Sequence, residues 1–517
     1  MSLVAEDLSL RQHRPSPSRW LLGGAAAIGV VAWLAFAPLR ASFFRHDDFG
    51  WLRVAQRWEA TGGLSRAITQ GHAGFTLVYN LIYYACYRLA PLDPRPHWDC
   101  LIAAHVVNSL LVVALVWLIS ECELAALASG LVFALLFSHH EAVGWLGGGL
   151  HVYALVFMLA SLVSWAWWRK GGWVGFLPLA LLLGTFALLT KASAAPLMLL
   201  VALVDYALGV GLRWRSLAWW LVPYAVMVAL RLLWPPSHYV VSPEQHVYGL
   251  GPHALANLAL CPPQMLVPDL RFSNYALLVQ RLLPAGLAAL VIRSSVGVIL
   301  ALSALALIVA ARSDRVIRAG VAWAYLAFLP EALFRYDYAI APRYLYIPSV
   351  GLALLAGYAF ARWAERRQVF GPRLSRACVG LVLIVVVYNL PPLMVMEQHR
   401  LRDSHVRRQA VQSAAAVVQS MPVPVRTVFL TGLPEPLHDV ALGLQVFSHT
   451  SFQTRWVKTL PKRLGPGELG LRFRPDGSLA QVVRGGWQHE LPAPALSTLP
   501  TTIPPRQPFS RPPRAPA

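Results

Sequence analysis

Acidic residues are scarce in this chain: 24 Asp and Glu stand against 44 Lys and Arg in 517 residues, and charged residues of either sign make up only 13%. A water-soluble domain carries roughly a quarter charged residues, so that class is excluded. Cysteine is also sparse. Cys86, Cys100, Cys122, Cys261 and Cys378 are scattered, mostly in apolar runs, without a CxxC or Cys/His spacing; neither a disulfide framework nor a structural zinc is expected. No helical repeat array recurs. Gly147-Gly148-Gly149 follows no strand, which makes it a helix start or packing feature rather than a phosphate loop. The formal charge of +20 would suit a phosphate backbone, but the Arg residues cluster between apolar runs, where the positive-inside rule puts them. Nucleic acid is not an expected partner; anionic lipid headgroups are.

What the chain does have is apolar sequence, 57% of its residues, in repeated runs close to ~20 residues long. This predicts an all-α polytopic membrane protein. Residues 1–19, with Arg11, Arg14 and Arg19, read as a cytoplasmic N-terminus. Trp20–Pro38 lacks a small-residue cleavage site and reads as a retained first span. The large outer loops are 41–97 and 235–292. Within the first, 49–70 opens with a surface helix (Trp51, Val54, Ala55, Trp58 at helical spacing) and 75–91 forms a re-entrant or interfacial helix.

Further spans are expected over 98–119, 124–138, 149–168, two within 173–210, 216–234, 294–311, 319–334, 344–361 and 375–396, about eleven in all. An interfacial helix is expected over 254–267. The acidic turn Glu121-Cys122-Glu123 breaks the basic pattern of the inner side. The transmembrane domain thus covers 20–397, and 398–490 reads as a small extracytoplasmic α+β domain. That domain has a charged helix over 398–420, strands at 425–430 and 470–474, and a hairpin turn at Pro475-Asp476-Gly477. The Pro-rich tail 491–517 reads as disordered.

Against this background Asp47-Asp48 stand out, because acids at the mouth of a span are costly to keep near lipid. The topology puts them on the same outer face as His139-His140-Glu141, Lys191 and Arg343-Tyr344. Acids and bases on one face suit sugar transfer from a lipid phosphate. A carboxylate accepts the acceptor's hydroxyl proton, and cations hold the departing phosphate as its charge grows. Arg does so as a fork and Lys as a point charge.

Several segments carry a resemblance: Phe44–Phe49 with the acidic pair, HWDCLIAAHVVNSLL at 97–111, His139-His140-Glu141-Ala142-Val143, Leu188-Leu189-Thr190-Lys191, and Pro342-Arg343-Tyr344-Leu345-Tyr346-Ile347-Pro348-Ser349. In this order, over roughly 20–395, they resemble the GT-C superfamily of polyprenyl-phosphate-sugar-dependent glycosyltransferases. Within it they are most similar to the protein O-mannosyltransferase branch that includes the transmembrane, TPR-bearing enzymes.

The resemblance implies a GT-C-like fold and a polyprenyl-phosphate-linked sugar as donor, with mannose as the sugar. It also implies an acceptor hydroxyl on a protein, glycolipid or polysaccharide, and inversion at the sugar. It makes Asp47 or Asp48 the base, and places Lys191 and Arg343 at the lipid phosphate, with Tyr344, His139, His140 and Glu141 lining the site. Two departures are visible: Ala192 follows Lys191 where the family often has Glu, and the TPR array is missing.

Each feature also has a structural reading. Asp47 or Asp48 can cap the helix that follows, and His139-His140-Glu141 can be an interfacial cap and turn. Lys191 can snorkel, and Arg343 can be an interfacial anchor. No cofactor is implied. A divalent metal at His139-His140-Glu141 stays open as an alternative but is not indicated, because three consecutive residues on a regular helix do not all point to one ion. The alternatives to an enzyme are a transporter or flippase of lipid-linked sugars, and a non-catalytic assembly protein.

Overall fold

The computed structural model describes residues 17–69, 76–212, 214–233, 248–266, 279–280, 282–291, 295, 312–335, 340–433, 439–484 and 487–489. The expected tail 491–517, nearly all of the N-terminal segment, the span 294–311 apart from residue 295, and much of the loop 235–292 lie outside these residues. The chain divides into two compact units, one of residues 1–42 and 54–400, the other of residues 43–53 and 401–517.

Helices appear in the order α1 (Arg19–Phe36), α2 (Asp47–Thr61), α3 (Leu64–Thr69), α4 (Leu77–Leu89), α5 (Arg95–Ser120), α6 (Glu123–Leu135), α7 (His140–Val143), α8 (Gly149–Arg169) and α9 (Phe176–Thr190). They continue with α10 (Leu197–Leu208), α11 (Trp214–Ala218), α12 (Leu221–Leu233), α13 (Pro252–Leu266), α14 (Arg315–Leu326), α15 (Leu329–Ala332), α16 (Ser349–Arg366), α17 (Pro372–Gln419) and α18 (Val440–Ser448).

Among the described residues, five helices are long and apolar enough to cross a bilayer: Arg19–Ala41, Arg95–Ser120, Leu146–Arg169, Trp214–Leu233 and Pro372–Gln419. The pair Glu123–Leu135 and Phe137–Val143, bent by 49°, makes a sixth. Phe176–Thr190 and Ala192–Leu208 are apolar but shorter. Helices of this kind close nearly all of their interior backbone hydrogen bonds within themselves, as a lipid-facing segment requires; the chain is an integral membrane protein. Helix α4, at 13 residues, is about 20 Å long, too short for a ~30 Å hydrocarbon core.

In the first unit α8 packs on α5 and α9, α16 on α6 and α14, and α1 on α5 and α6. Small residues allow the closest approaches. A Cβ on Gly351 would stand 2.4 Å from the Gly320 carbonyl oxygen, and one on Gly357 would stand 2.4 Å from the Ser129 backbone nitrogen.

One end of this bundle gathers the charges that flank the expected inner turns. Glu123 accepts from the Ser18 backbone (3.0 Å) and hydroxyl (2.7 Å), while Ser18 itself caps α1 by accepting from Leu21 N–H (3.1 Å). Lys170 pairs with Glu121 and donates to the Leu118 carbonyl at 2.9 Å. The acidic turn thereby gains its explanation: Glu121 answers Lys170, and Glu123 ties down the start of α1. Arg169 pairs with buried Asp205, which also accepts from Trp165 Nε1 at 2.8 Å.

A break near Glu397 was expected between a last span and a separate charged helix, but Pro372–Gln419 is one helix of 48 residues. The shift from apolar to charged sequence does not end the helix, which runs on past Glu397 to Gln419. Pro391 and Pro392 lie inside it.

The second unit carries a five-stranded mixed sheet in the order β2-β1-β3-β4-β5: β1 Thr427–Thr431, β2 Gln453–Trp456, β3 Glu468–Phe473, β4 Leu479–Arg484 and β5 Trp487–His489. β1 pairs in parallel with β2 and β3, whereas β3–β4 and β4–β5 are antiparallel. Helix α18 forms the crossover from β1 to β2, as a parallel pair requires. The β3–β4 turn is Pro475-Asp476-Gly477, with Gly477 at φ 85° and Asp476 accepting from Ser478 N–H at 2.9 Å.

Candidate functional site

Turns far apart in sequence meet at the end of the first unit opposite Lys170 and Asp205. Pro342, whose ring presets φ for a helical start, opens the short 3-10 turn Pro342–Leu345 that presents Arg343. The Arg343 backbone N–H donates to Glu141 Oε2 at 3.2 Å, and its Nη1 reaches Oε1 at 2.5 Å. One carboxylate thus fixes both the turn and the side chain. The guanidinium lies over the rings of Tyr344 (4.6 Å) and Trp145 (5.2 Å), and Nη2 donates to the Tyr344 hydroxyl at 3.3 Å. Tyr344 in turn stacks on Phe334 (centroids 5.8 Å apart, 11° between planes) and meets the edge of His151 at 5.2 Å.

Lys191 ends α9 in extended conformation, with Glu331 and Arg343 as its charged neighbours. Burial pushes its ammonium below the ordinary lysine range; Arg343 pushes the same way and Glu331 opposes. Glu331, itself buried on α15, accepts a hydrogen bond from the Ser193 hydroxyl. Arg343 is ion-paired with Glu141 against two aromatic rings, and Lys191 lies within electrostatic range of Arg343 and of buried Glu331. A phosphate entering here would find a fork and a point charge already placed, provided it displaces Glu141 from Arg343.

Glu331, Ser193 and His151 were not among the residues singled out from sequence. A signal for Glu331 existed: it is a lone acid inside the apolar run 319–334, and ionisable residues in such runs mark function by default.

The structure brings together Glu141, Lys191, Arg343 and Tyr344. His139 and His140 sit elsewhere, in buried positions that hold helices together. His139 Nε2 bonds the Ser349 hydroxyl (2.7 Å), which donates on to the Tyr346 carbonyl (2.7 Å). His105 Nδ1 meets the Tyr346 hydroxyl at 2.7 Å, its Nε2 meets the Ala134 carbonyl at 3.0 Å, and Asn108 Nδ2 donates to the same hydroxyl at 3.1 Å. His140 Nδ1 donates to the Phe137 carbonyl at 3.0 Å, and its own carbonyl accepts from Arg400.

Asp47 and Asp48 belong to the second unit, in the first turn of α2, where negative charge complements the helix dipole. They differ sharply. Asp48 is fully buried and its Oδ2 accepts from the Arg45 backbone N–H at 3.0 Å, a reciprocal end-capping contact. Asp47 is exposed. The segment is held from several sides. Phe43 N–H donates to Ser404 Oγ (2.5 Å) and His46 N–H to Asp439 Oδ2 (2.6 Å), and Asp439 is ion-paired with Arg407 at 2.9 Å. Phe43 packs its ring on Phe44, Phe49 and Phe447. Among the described residues no three His, Cys, Asp or Glu side chains gather as metal ligands.

No family model and no curated protein matches the sequence. Solved structures do match its fold. ArnT from Cupriavidus metallidurans bound to undecaprenyl phosphate superposes with a TM-score of 0.50 at 15% identity, over 85% of this chain and 86% of that one. Its apo form gives 0.50 at 14%. The archaeal oligosaccharyltransferase AglB from Archaeoglobus fulgidus, in complex with an inhibitory peptide and a dolichol-phosphate, gives 0.44 at 12% identity, over 84% of this chain and 64% of that one. The fold expected from the GT-C resemblance is the fold of this chain.

Proposed function

We propose that this chain is an integral-membrane glycosyltransferase that moves a sugar from a polyprenyl phosphate to an acceptor hydroxyl. The observation that carries the reading is the meeting of Lys191 and Arg343, with Glu331 and Glu141, at one end of a fold shared with a protein that binds undecaprenyl phosphate. In this reading that end faces the extracytoplasmic side, the chain crosses the membrane about eleven times, the sugar is mannose, and the acceptor is a protein, glycolipid or polysaccharide.

The donor phosphate takes over from Glu141 as partner of Arg343 and recruits the nearby Lys191. Asp47, the exposed member of the acidic pair, accepts the acceptor's hydroxyl proton, and Asp48 serves as the cap. The acceptor oxygen attacks the anomeric carbon from the face opposite the phosphate, forming the new glycosidic bond. As the bond from that carbon to the phosphate oxygen breaks, its electron pair stays on the phosphate. The two cations stabilise the growing charge. A phosphate leaving group needs no general acid, and attack from the opposite face inverts the sugar.

The test is to incubate purified protein and membranes with labelled polyprenyl-phosphate sugars. The expected result is free polyprenyl phosphate together with a labelled product, both lost in Arg343→Ala. Transbilayer movement of intact donor without cleavage would replace the enzyme by a flippase, and inertness towards every donor would leave an assembly protein.

A further inference from the structure

Outside the charged cluster, two thiols stand side by side. The Cys86 S–H, near the end of α4, points to Cys100 Sγ at 3.5 Å, in the second turn of α5, with the Pro96 carbonyl 3.7 Å from the same sulfur. Cys86 is buried and Cys100 half-buried. They lie close to water. Ion pairs Arg95–Asp93 (2.6 Å), Arg40–Asp99 (2.5 Å) and Arg88–Glu59 (3.3 Å), all with partly or largely exposed side chains, surround the α4–α5 junction. This is the end of α5 opposite Glu121 and Lys170.

We infer that Cys86 and Cys100 form a disulfide that ties α4 to α5. The inference rests on the orientation given under the proposed function, in which this end meets the oxidising side of the membrane, where disulfides persist. The chemistry is thiol–disulfide exchange with a protein disulfide donor. One thiolate attacks the donor's disulfide, the second displaces the donor from the mixed disulfide, and the donor leaves as a dithiol carrying the two electrons and two protons given up here. Bond formation shortens the 3.5 Å sulfur–sulfur separation to ~2.05 Å.

The tie has a consequence at the cluster. Tyr79, also on α4, donates to the Leu146 carbonyl at 3.0 Å, and the neighbouring Trp145 covers the Arg343 guanidinium. The bridge therefore steadies the helix that supports one wall of the arginine's setting. The remaining cysteines provide internal controls. Cys122 follows the opposite end of α5, beside Ser120, and Cys261 is buried among Met265, Phe328 and Leu345.

To test it, membranes holding the full-length protein are denatured with a light maleimide, then reduced and treated with a heavy one, and each cysteine peptide is read by mass spectrometry. The expected result is heavy label on Cys86 and Cys100 and light label on Cys122, with Cys100 turning light in Cys86→Ser. Light label on both Cys86 and Cys100 of the wild type overturns the bridge. A membrane-impermeant maleimide on intact cells reads orientation separately, through Cys122. A reduced pair with Cys122 protected overturns the bridge alone. A reduced pair with Cys122 labelled from outside overturns the orientation with it.

Discussion

Arg343 makes the most specific set of contacts in the cluster: an ion pair and a backbone bond to Glu141, a bond to the Tyr344 hydroxyl, and two aromatic faces. Arg343→Lys keeps the charge and loses the fork and the stacking, so kcat/KM should fall by about tenfold or more, and Arg343→Ala by roughly 10²–10³-fold. Steady-state kinetics with labelled donor measures both. Lys191 adds a pH dependence. Its folded-state pKa lies below the unfolded value of ~10.4, so the native chain binds fewer protons than the unfolded one between those two values. Stability therefore rises with pH across that window, whereas donor affinity, which needs the ammonium, falls. Thermal unfolding and donor binding should both lose this trend in Lys191→Met.

The acidic pair separates the same way. Asp47→Asn should abolish transfer with folding intact. Asp48→Ala, which removes the oxygen that accepts from the Arg45 N–H, should cost about 0.5–2 kcal/mol of stability, read as a lower Tm. Sequence alone singled out Glu141, Lys191 and Arg343 because each is a polar interruption at the end of an apolar run. It did not separate Asp47 from Asp48, since burial is a tertiary property. His139 looked like its neighbour Glu141 in sequence, and only packing turns its ring into the core.

Among the elements, α16 shows how packing limits substitution. Gly351→Ala would push a methyl group into the Gly320 carbonyl and the Ala324 backbone, and Gly357→Ala into the Ser129 backbone. Backbone cannot yield as a side-chain tip can, so each should destabilise by about 1–3 kcal/mol, measured as a fall in Tm in detergent. Tyr346→Phe removes the hydroxyl shared by His105 and Asn108 and should cost about 1–3 kcal/mol by leaving buried polar groups short of a partner. Helices were legible from apolar runs, and the β3–β4 turn from Pro475-Asp476-Gly477. Strand β2, an edge strand with an alternating and partly exposed pattern, carries too little apolar sequence to announce itself. The continuity of α17 is not legible in the sequence, because its composition changes from apolar to charged part-way along the helix.

For the molecule as a whole, the first unit is polarised. Arg169, Lys170, Glu121, Glu123 and Asp205 close one end in structural ion pairs and caps, while the other end keeps Lys191 and Arg343 in an aromatic setting. Apolar run length and Arg placement made that polarity readable, because both respond to the bilayer. The pairing of Glu141 with Arg343, 202 positions apart, is a matter of tertiary packing that no local pattern records. The most direct measurement is turnover by the purified protein of a labelled polyprenyl-phosphate sugar, run beside Asp47→Asn and Arg343→Ala. The account predicts release of polyprenyl phosphate with transfer of the sugar to a hydroxyl acceptor in the wild type, and neither in the two variants. Equal turnover in all three would contradict it.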